Sequence, residues 1–304
     1  MPFQRSTRRY LQLDVFADRP GGGNPLGVVF DAADFDAASM QTFAAWTNLS
    51  ETIFLLPPTT GDADYRVRIF TPRQELPFAG HPSVGAAWAA LEGGLAIARD
   101  GALVQECAAG LLPVRIQGAP GNPRVDVRAP HAKETAGAAT QHAGALDAAL
   151  AGLAFGRQAP ALWNNGPAWW LVELTDGAAV RMMQPNLAAI AELTQASDAV
   201  GLAVYGRADA LDHQLVVRAY CPADNIPEDP VTGSVNACIG AQLARSGTLP
   251  GHDGCYVASQ GRELGRDGKV HVRTDADGEV WIGGQVQCVI DGRVDWPAHS
   301  GSGR

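Results

Sequence analysis

Apolar positions in this chain come in short runs, many alternating with polar ones, and only a few segments carry helical spacing. Runs at 11–16 and 27–30 read as strands joined by a loop holding Gly21, Gly22 and Gly23. A helix is predicted over 37–48, capped by Asp34 or Asp36, with Met40, Phe43, Ala44 and Trp46 as its apolar positions. Strands follow at 52–56 and 65–70. The segment 83–91 is apolar or small on every face, which predicts a helix buried all round. A hairpin over 103–106 and 112–116 closes this half. After a Gly, Ala and Pro stretch, 124–128 reads as a further strand and 163–174 resembles the opening strands. A helix at 187–193 and strands at 199–205 and 214–220 come next. A second small-residue helix is predicted at 235–245, then strands at 256–258, 270–274 and 285–290, and a frayed tail at 298–304.

The pattern repeats. VRIFTP at 67–72 returns as VRAYCP at 217–222. Each run leads through an acidic turn into a glycine that opens a small-residue helix: Gly80-His81-Pro82 in the first half, Gly233-Ser234-Val235 in the second. A strand, turn and helix mouth made twice predict two similar domains, 1–120 and 121–304, facing each other across a cleft. The last strand, near 285–297, is a candidate to pack back on the first domain. The fold class is therefore α+β: two pseudo-symmetric domains, each a largely antiparallel sheet or barrel wrapped around a central helix.

Composition narrows the function. The 304 residues suffice for two cores. Acidic residues outnumber basic ones, 32 against 23, which argues against nucleic acid or an anionic membrane as partner. No secretory h-region or membrane-length apolar run is visible, so a soluble cytoplasmic protein is expected. The five cysteines are odd in number and lack metal-ligand spacing, so reduced thiols and no metal site are expected.

Chemistry concentrates at three places. Gly80 and Gly233 let backbone N–H groups at the two helix mouths approach a small carboxylate, with the helix dipoles assisting. His81 and Ser234 stand beside these mouths; His81 is expected to exchange protons near neutral pH, and Ser234 to hydrogen-bond. Asp229, in the turn before the second mouth, is placed to bind an amine or assist proton transfer. Glu51 lies where a helix gives way to an apolar strand, so a partly desolvated carboxylate there is suited to taking and returning a proton. Taken singly, each has a plainer reading: turns, caps, a solvated glutamate. The six other histidines (His131, His142, His213, His252, His271, His299) carry no assignment.

Asn48–Phe54 (NLSETIF), Phe70–Gly85 (FTPRQELPFAGHPSVG) and Glu228–Ser234 (EDPVTGS), with Gly23-Asn24-Pro25, resemble the PhzF-type phenazine-biosynthesis isomerase family. The resemblance implies the diaminopimelate epimerase-like fold and proton transfer without metal or organic cofactor. It also implies catalysis by Glu51, His81 and Asp229, with Gly80, Gly233 and Ser234 holding substrate, and a homodimer. Glu51 would shuttle a proton on a small carboxylate, amino-acid-like or cyclohexadienyl, in the inter-domain cleft. The two-cysteine epimerases of the same fold are set aside, since His81 and Ser234 hold the places of the thiols. A non-catalytic small-carboxylate binding or regulatory protein is the alternative. A dinucleotide site in Gly21–Gly27 is rejected, because the spacing is not GxGxxG and a strand follows.

Overall fold

The structure, a computed structural model, describes residues 5–118, 121 and 123–297; the segment read as a tail and His299 lie outside them. The chain divides into two compact units, Met1–Val127 with Gly283–Arg304, and Arg128–Ile282.

In the first unit, Arg5–Val15 runs antiparallel to Asn24–Val29 on one side and to Val286–Pro297 on the other. Asn24–Val29 then pairs in parallel with Glu51–Leu56, across the helix Ala37–Thr47. Asp36 caps that helix, its Oδ1 accepting from the Ser39 N–H at 2.7 Å, while Asp34 is held by Arg8. Asn48 ends the helix in a left-handed conformation, φ 53°, and turns the chain toward Glu51. Phe43 meets Trp296 edge-on at 5.0 Å, which fastens the final strand to this helix.

Glu51–Leu56 pairs antiparallel with Tyr65–Phe70, which pairs antiparallel with Glu75–Leu76 and in parallel with Ala102–Cys107 across the helix Gly80–Glu92. This second helix is buried along almost its whole length, as its small residues predict. A Cβ on Gly85 would lie 2.3 Å from Leu26 Cδ2 and 3.1 Å from Val15 Cγ2, so the strands press directly on the helix backbone. Ala102–Cys107 closes in a hairpin with Gly110–Gln117.

The second unit repeats the succession of pairings: antiparallel, parallel, two antiparallel, parallel, antiparallel. Ala161–Asn164 and Ala168–Glu173, separated by a turn with Gly166 at φ 117°, pair antiparallel as the opening strands of the first unit do. Gly201–Arg207 joins in parallel, followed by Leu215–Cys221, Ile226–Asp229, Cys255–Gln260 and Gly268–Thr274. Trp170, Val172, Ile190, Leu193, Leu202 and Tyr220 form the centre of one core, against the helix Leu187–Ala196. The helix Gly233–Arg245 connects Ile226–Asp229 to Cys255–Gln260.

Most pairings are antiparallel, as the sequence pattern predicted, and each unit adds parallel neighbours that make its sheet mixed. The parallel pairs have a simple cause. Parallel neighbours need long crossovers, and the helices between strands supply them in both units. Among the described residues no helix is long and apolar enough to cross a membrane.

Candidate active site

The helices Gly80–Glu92 and Gly233–Arg245 begin earlier than the apolar pattern predicts, at the motif glycines themselves. His81 and Ser234 are therefore the second residue of each helix. The residues ahead, Ala79 and Thr232, make no side-chain cap, which leaves first-turn N–H groups for another acceptor.

At the first mouth, Glu51 opens its strand in register with Leu26 on the neighbouring strand. His81 Nε2 faces Glu51 Oε2 at 3.4 Å, with the imidazole buried and the carboxylate slightly open. The ring's other hydrogen-bonding contact is the backbone of Pro25. Burial lowers the His81 pKa to about 3; the Pro25 bond opposes this but does not overcome it. His81 is a neutral ring at physiological pH, in contrast to the near-neutral titration its residue type predicts. A neutral imidazole has one N–H. With Pro25 accepting at Nδ1, Nε2 meets Glu51 as an acceptor.

At the second mouth, Asp229 ends the strand Ile226–Asp229, and its Oδ2 accepts from Thr232 Oγ1 at 2.5 Å. Fully buried Gln260 organises the turn. Its Nε2 donates to Thr232 Oγ1 at 2.9 Å and to the Asp229 carbonyl at 3.3 Å. Its Oε1 accepts from Thr232 N at 3.1 Å and from Asn236 Nδ2 at 3.0 Å. Nothing in the local sequence marks Gln260, because its partners lie on a turn distant along the chain. Ser234 Oγ accepts from Trp169 Nε1 at 3.1 Å, and its carbonyl accepts from Asn165 Nδ2 at 3.0 Å. For Asn165 the Asn165-Gly166-Pro167 turn is the sequence signal, whereas Trp169 lies in the strand after it and carries no local mark.

The structure brings Glu51, Gly80 and His81 together in the first unit, and Asp229, Gly233 and Ser234 together in the second. The acidic turns of the repeated motif separate into two roles. Arg68 clamps Glu75 with two bonds of 2.7 Å, and Arg218 clamps Glu228 with bonds of 2.9 and 2.8 Å. Each guanidinium also lies over an aromatic ring of its own strand, Phe70 at 5.2 Å and Tyr220 at 5.3 Å. The repeated glutamates thus brace the mouths, leaving Asp229 as the carboxylate at the second one.

Cys238 lies inside the second helix, and burial pushes its thiol pKa up, away from nucleophilic thiolate. Among the described residues no group of three or more His, Cys, Asp or Glu side chains is placed to hold a metal ion. A cavity of about 780 Å³ in the second unit, bordered by Glu134, Trp163, Arg245 and Asp275, contains none of the motif residues.

The model of a family described as phenazine biosynthesis-like protein, PhzC-PhzF, matches residues 13–292. The antisense-enhancing sequence 1 protein of Schizosaccharomyces pombe is 32% identical over 291 residues, covering 93% of this chain and 97% of that protein. The trans-2,3-dihydro-3-hydroxyanthranilate isomerase of Pseudomonas aeruginosa is 33% identical over 293 residues, covering 94% and 99%. The crystal structure of a PhzF-family phenazine biosynthesis protein from Bacillus anthracis superposes with a TM-score of 0.76 at 26% identity, covering 95% of this chain and 99% of that one.

Proposed function

The chain belongs to the phenazine biosynthesis-like PhzC-PhzF family, whose members include isomerases, and on that premise we propose that it is a cofactor-independent isomerase acting on a small carboxylate. Glu51 takes a proton from a carbon of the substrate, the electron pair moves along an adjacent double bond, and the same carboxyl returns the proton farther along. No electron is gained or lost overall. Free N–H groups at the helix mouths stabilise the negative charge that develops. Asp229 holds an amine or assists proton transfer, while Gly80, Gly233 and Ser234 hold the carboxylate.

The observation that carries the reading is the 3.4 Å approach of His81 Nε2 to Glu51 Oε2. A ring that burial keeps uncharged does not compete as an acid, and its acceptor nitrogen steers the carboxyl group while the proton is held there. The test is Glu51→Gln, which keeps size and removes the titrating group. With trans-2,3-dihydro-3-hydroxyanthranilate or a related cyclohexadienyl amino acid in deuterium oxide, the unaltered protein should exchange substrate hydrogen and Glu51→Gln should not, at unchanged fold. Exchange at full rate in the variant would overturn the role of Glu51. Binding without exchange in the unaltered protein would favour a regulatory carboxylate-binding protein. A homodimer belongs to the proposal, and sedimentation equilibrium reads it.

A further inference from the structure

We propose that Trp169 is a positioning residue that biases the Ser234 hydroxyl toward donating its hydrogen, so that this helix mouth favours a carboxylate over the matching carboxamide. The inference rests on the reading of Ser234 as a substrate contact.

An indole N–H can only donate. Trp169 Nε1 reaches Ser234 Oγ at 3.1 Å, so one of the two acceptor lone pairs of the serine oxygen is already taken. Its own hydrogen is directed elsewhere, and among the described residues no protein group accepts it. Both side chains are nearly closed to solvent, Trp169 at 3% and Ser234 at 6% exposure, which strengthens the bond and restricts the rotor.

Two further contacts hold this arrangement from behind. Trp169 is in register with Gly201 on the parallel neighbour, and a Cβ there would lie 2.4 Å from Trp169 Cζ3. The indole therefore packs closely against a strand position that glycine keeps clear. Asn165 Nδ2 fixes the serine's backbone carbonyl at 3.0 Å. A carbonyl only accepts, so this bond also settles which way the Asn165 amide faces. Ring, serine main chain and serine oxygen are each held, and the remaining freedom is the direction of one O–H bond.

The mouth then presents mainly donors: first-turn N–H groups without a side-chain cap, and the hydroxyl hydrogen of Ser234, whose oxygen keeps one lone pair free of the indole. A carboxylate satisfies such a set with either oxygen. A carboxamide of the same shape turns an NH₂ donor toward at least one of these donors.

The experiment measures benzoate and benzamide binding by isothermal titration to the unaltered protein, Trp169→Phe, Ser234→Ala and the double variant. The unaltered protein should prefer benzoate. Trp169→Phe keeps the aromatic bulk and removes the N–H, and should reduce that preference about five- to tenfold, the scale of a hydrogen bond between neutral groups. In the Ser234→Ala background the same change should have no further effect, because Trp169 acts through the hydroxyl. An equal effect in both backgrounds, or none in either, overturns the role of Trp169. Absence of benzoate binding to the unaltered protein overturns the carboxylate site itself and this inference with it. Should Trp169→Phe fail to fold, ¹⁵N-indole spectra carry the test. Benzoate must then shift the Trp169 Nε1–H resonance in the unaltered protein and leave it in place in Ser234→Ala; a shift in both, or in neither, overturns the inference.

Discussion

His81 turns Nε2 toward Glu51 Oε2 at 3.4 Å while its opposite edge is held by the backbone of Pro25. Replacing His81 with Leu keeps the bulk but withdraws the acceptor from the carboxyl. Turnover should fall about 10- to 100-fold, as expected for a group that orients a general acid–base. The check is steady-state kinetics, with kcat carrying most of the loss.

The same ring makes stability depend on pH. The His81 pKa is lowered in the folded protein to about 3 from 6.5, so below 6.5 the unfolded chain binds the proton first. The contribution is complete above pH 6.5 and is lost as pH falls toward 3, at up to about 1.4 kcal/mol per unit. Urea denaturation of the unaltered protein and His81→Asn at pH 7, 6 and 5 should converge as pH falls. A parallel pair of curves would refute it.

The two bracing ion pairs should differ in strength. The Arg218 and Glu228 side chains are 9% and 10% exposed, whereas those of Arg68 and Glu75 are 21% and 35% exposed. Arg218→Ala leaves a nearly buried carboxylate unpaired and also strips donors from the Val180 and Met183 carbonyls, costing about 3–5 kcal/mol. Arg68→Ala acts on a more solvated pair, and its lost ion pair costs about 1 kcal/mol. Chemical denaturation of both variants measures the contrast.

Gln260→Leu should loosen the turn that carries Asp229. The substitution removes four hydrogen bonds and leaves buried groups on Thr232 and Asn236 to find other partners. A loss of about 2–4 kcal/mol is expected. Faster amide exchange at Thr232 and Asn236, measured by mass spectrometry, would locate it.

What the sequence makes legible, and what it hides, follows from how local each interaction is. The helix at Gly80–Glu92 is visible because small residues on every face have few other uses. Its first turn lies outside the apolar pattern, and the motif glycine, not the periodicity, marks where the helix opens. The motif repeat marks both strands and both mouths, since those residues are contiguous. It does not reveal that Glu75 and Glu228 are held by arginines of the preceding strands. The parallel pairings are hidden because direction is set by crossovers, not by apolar alternation. Gln260, Asn165 and Trp169 reach their partners across long stretches of chain, so no window of sequence contains both ends. Burial likewise decides the charge of His81, and composition is silent on burial.

The pairing of Arg5–Val15 with Val286–Pro297 has a consequence for biosynthesis. A ribosome makes the first of these strands early and the second late, with the whole of Arg128–Ile282 emerging between them. The second unit can mature as an uninterrupted stretch while the first waits with one side of its opening strand unzipped. Arrest of translation before Val286 therefore leaves a nascent chain with an exposed strand edge, and the first unit's sheet is completed only once Val286–Pro297 has been made.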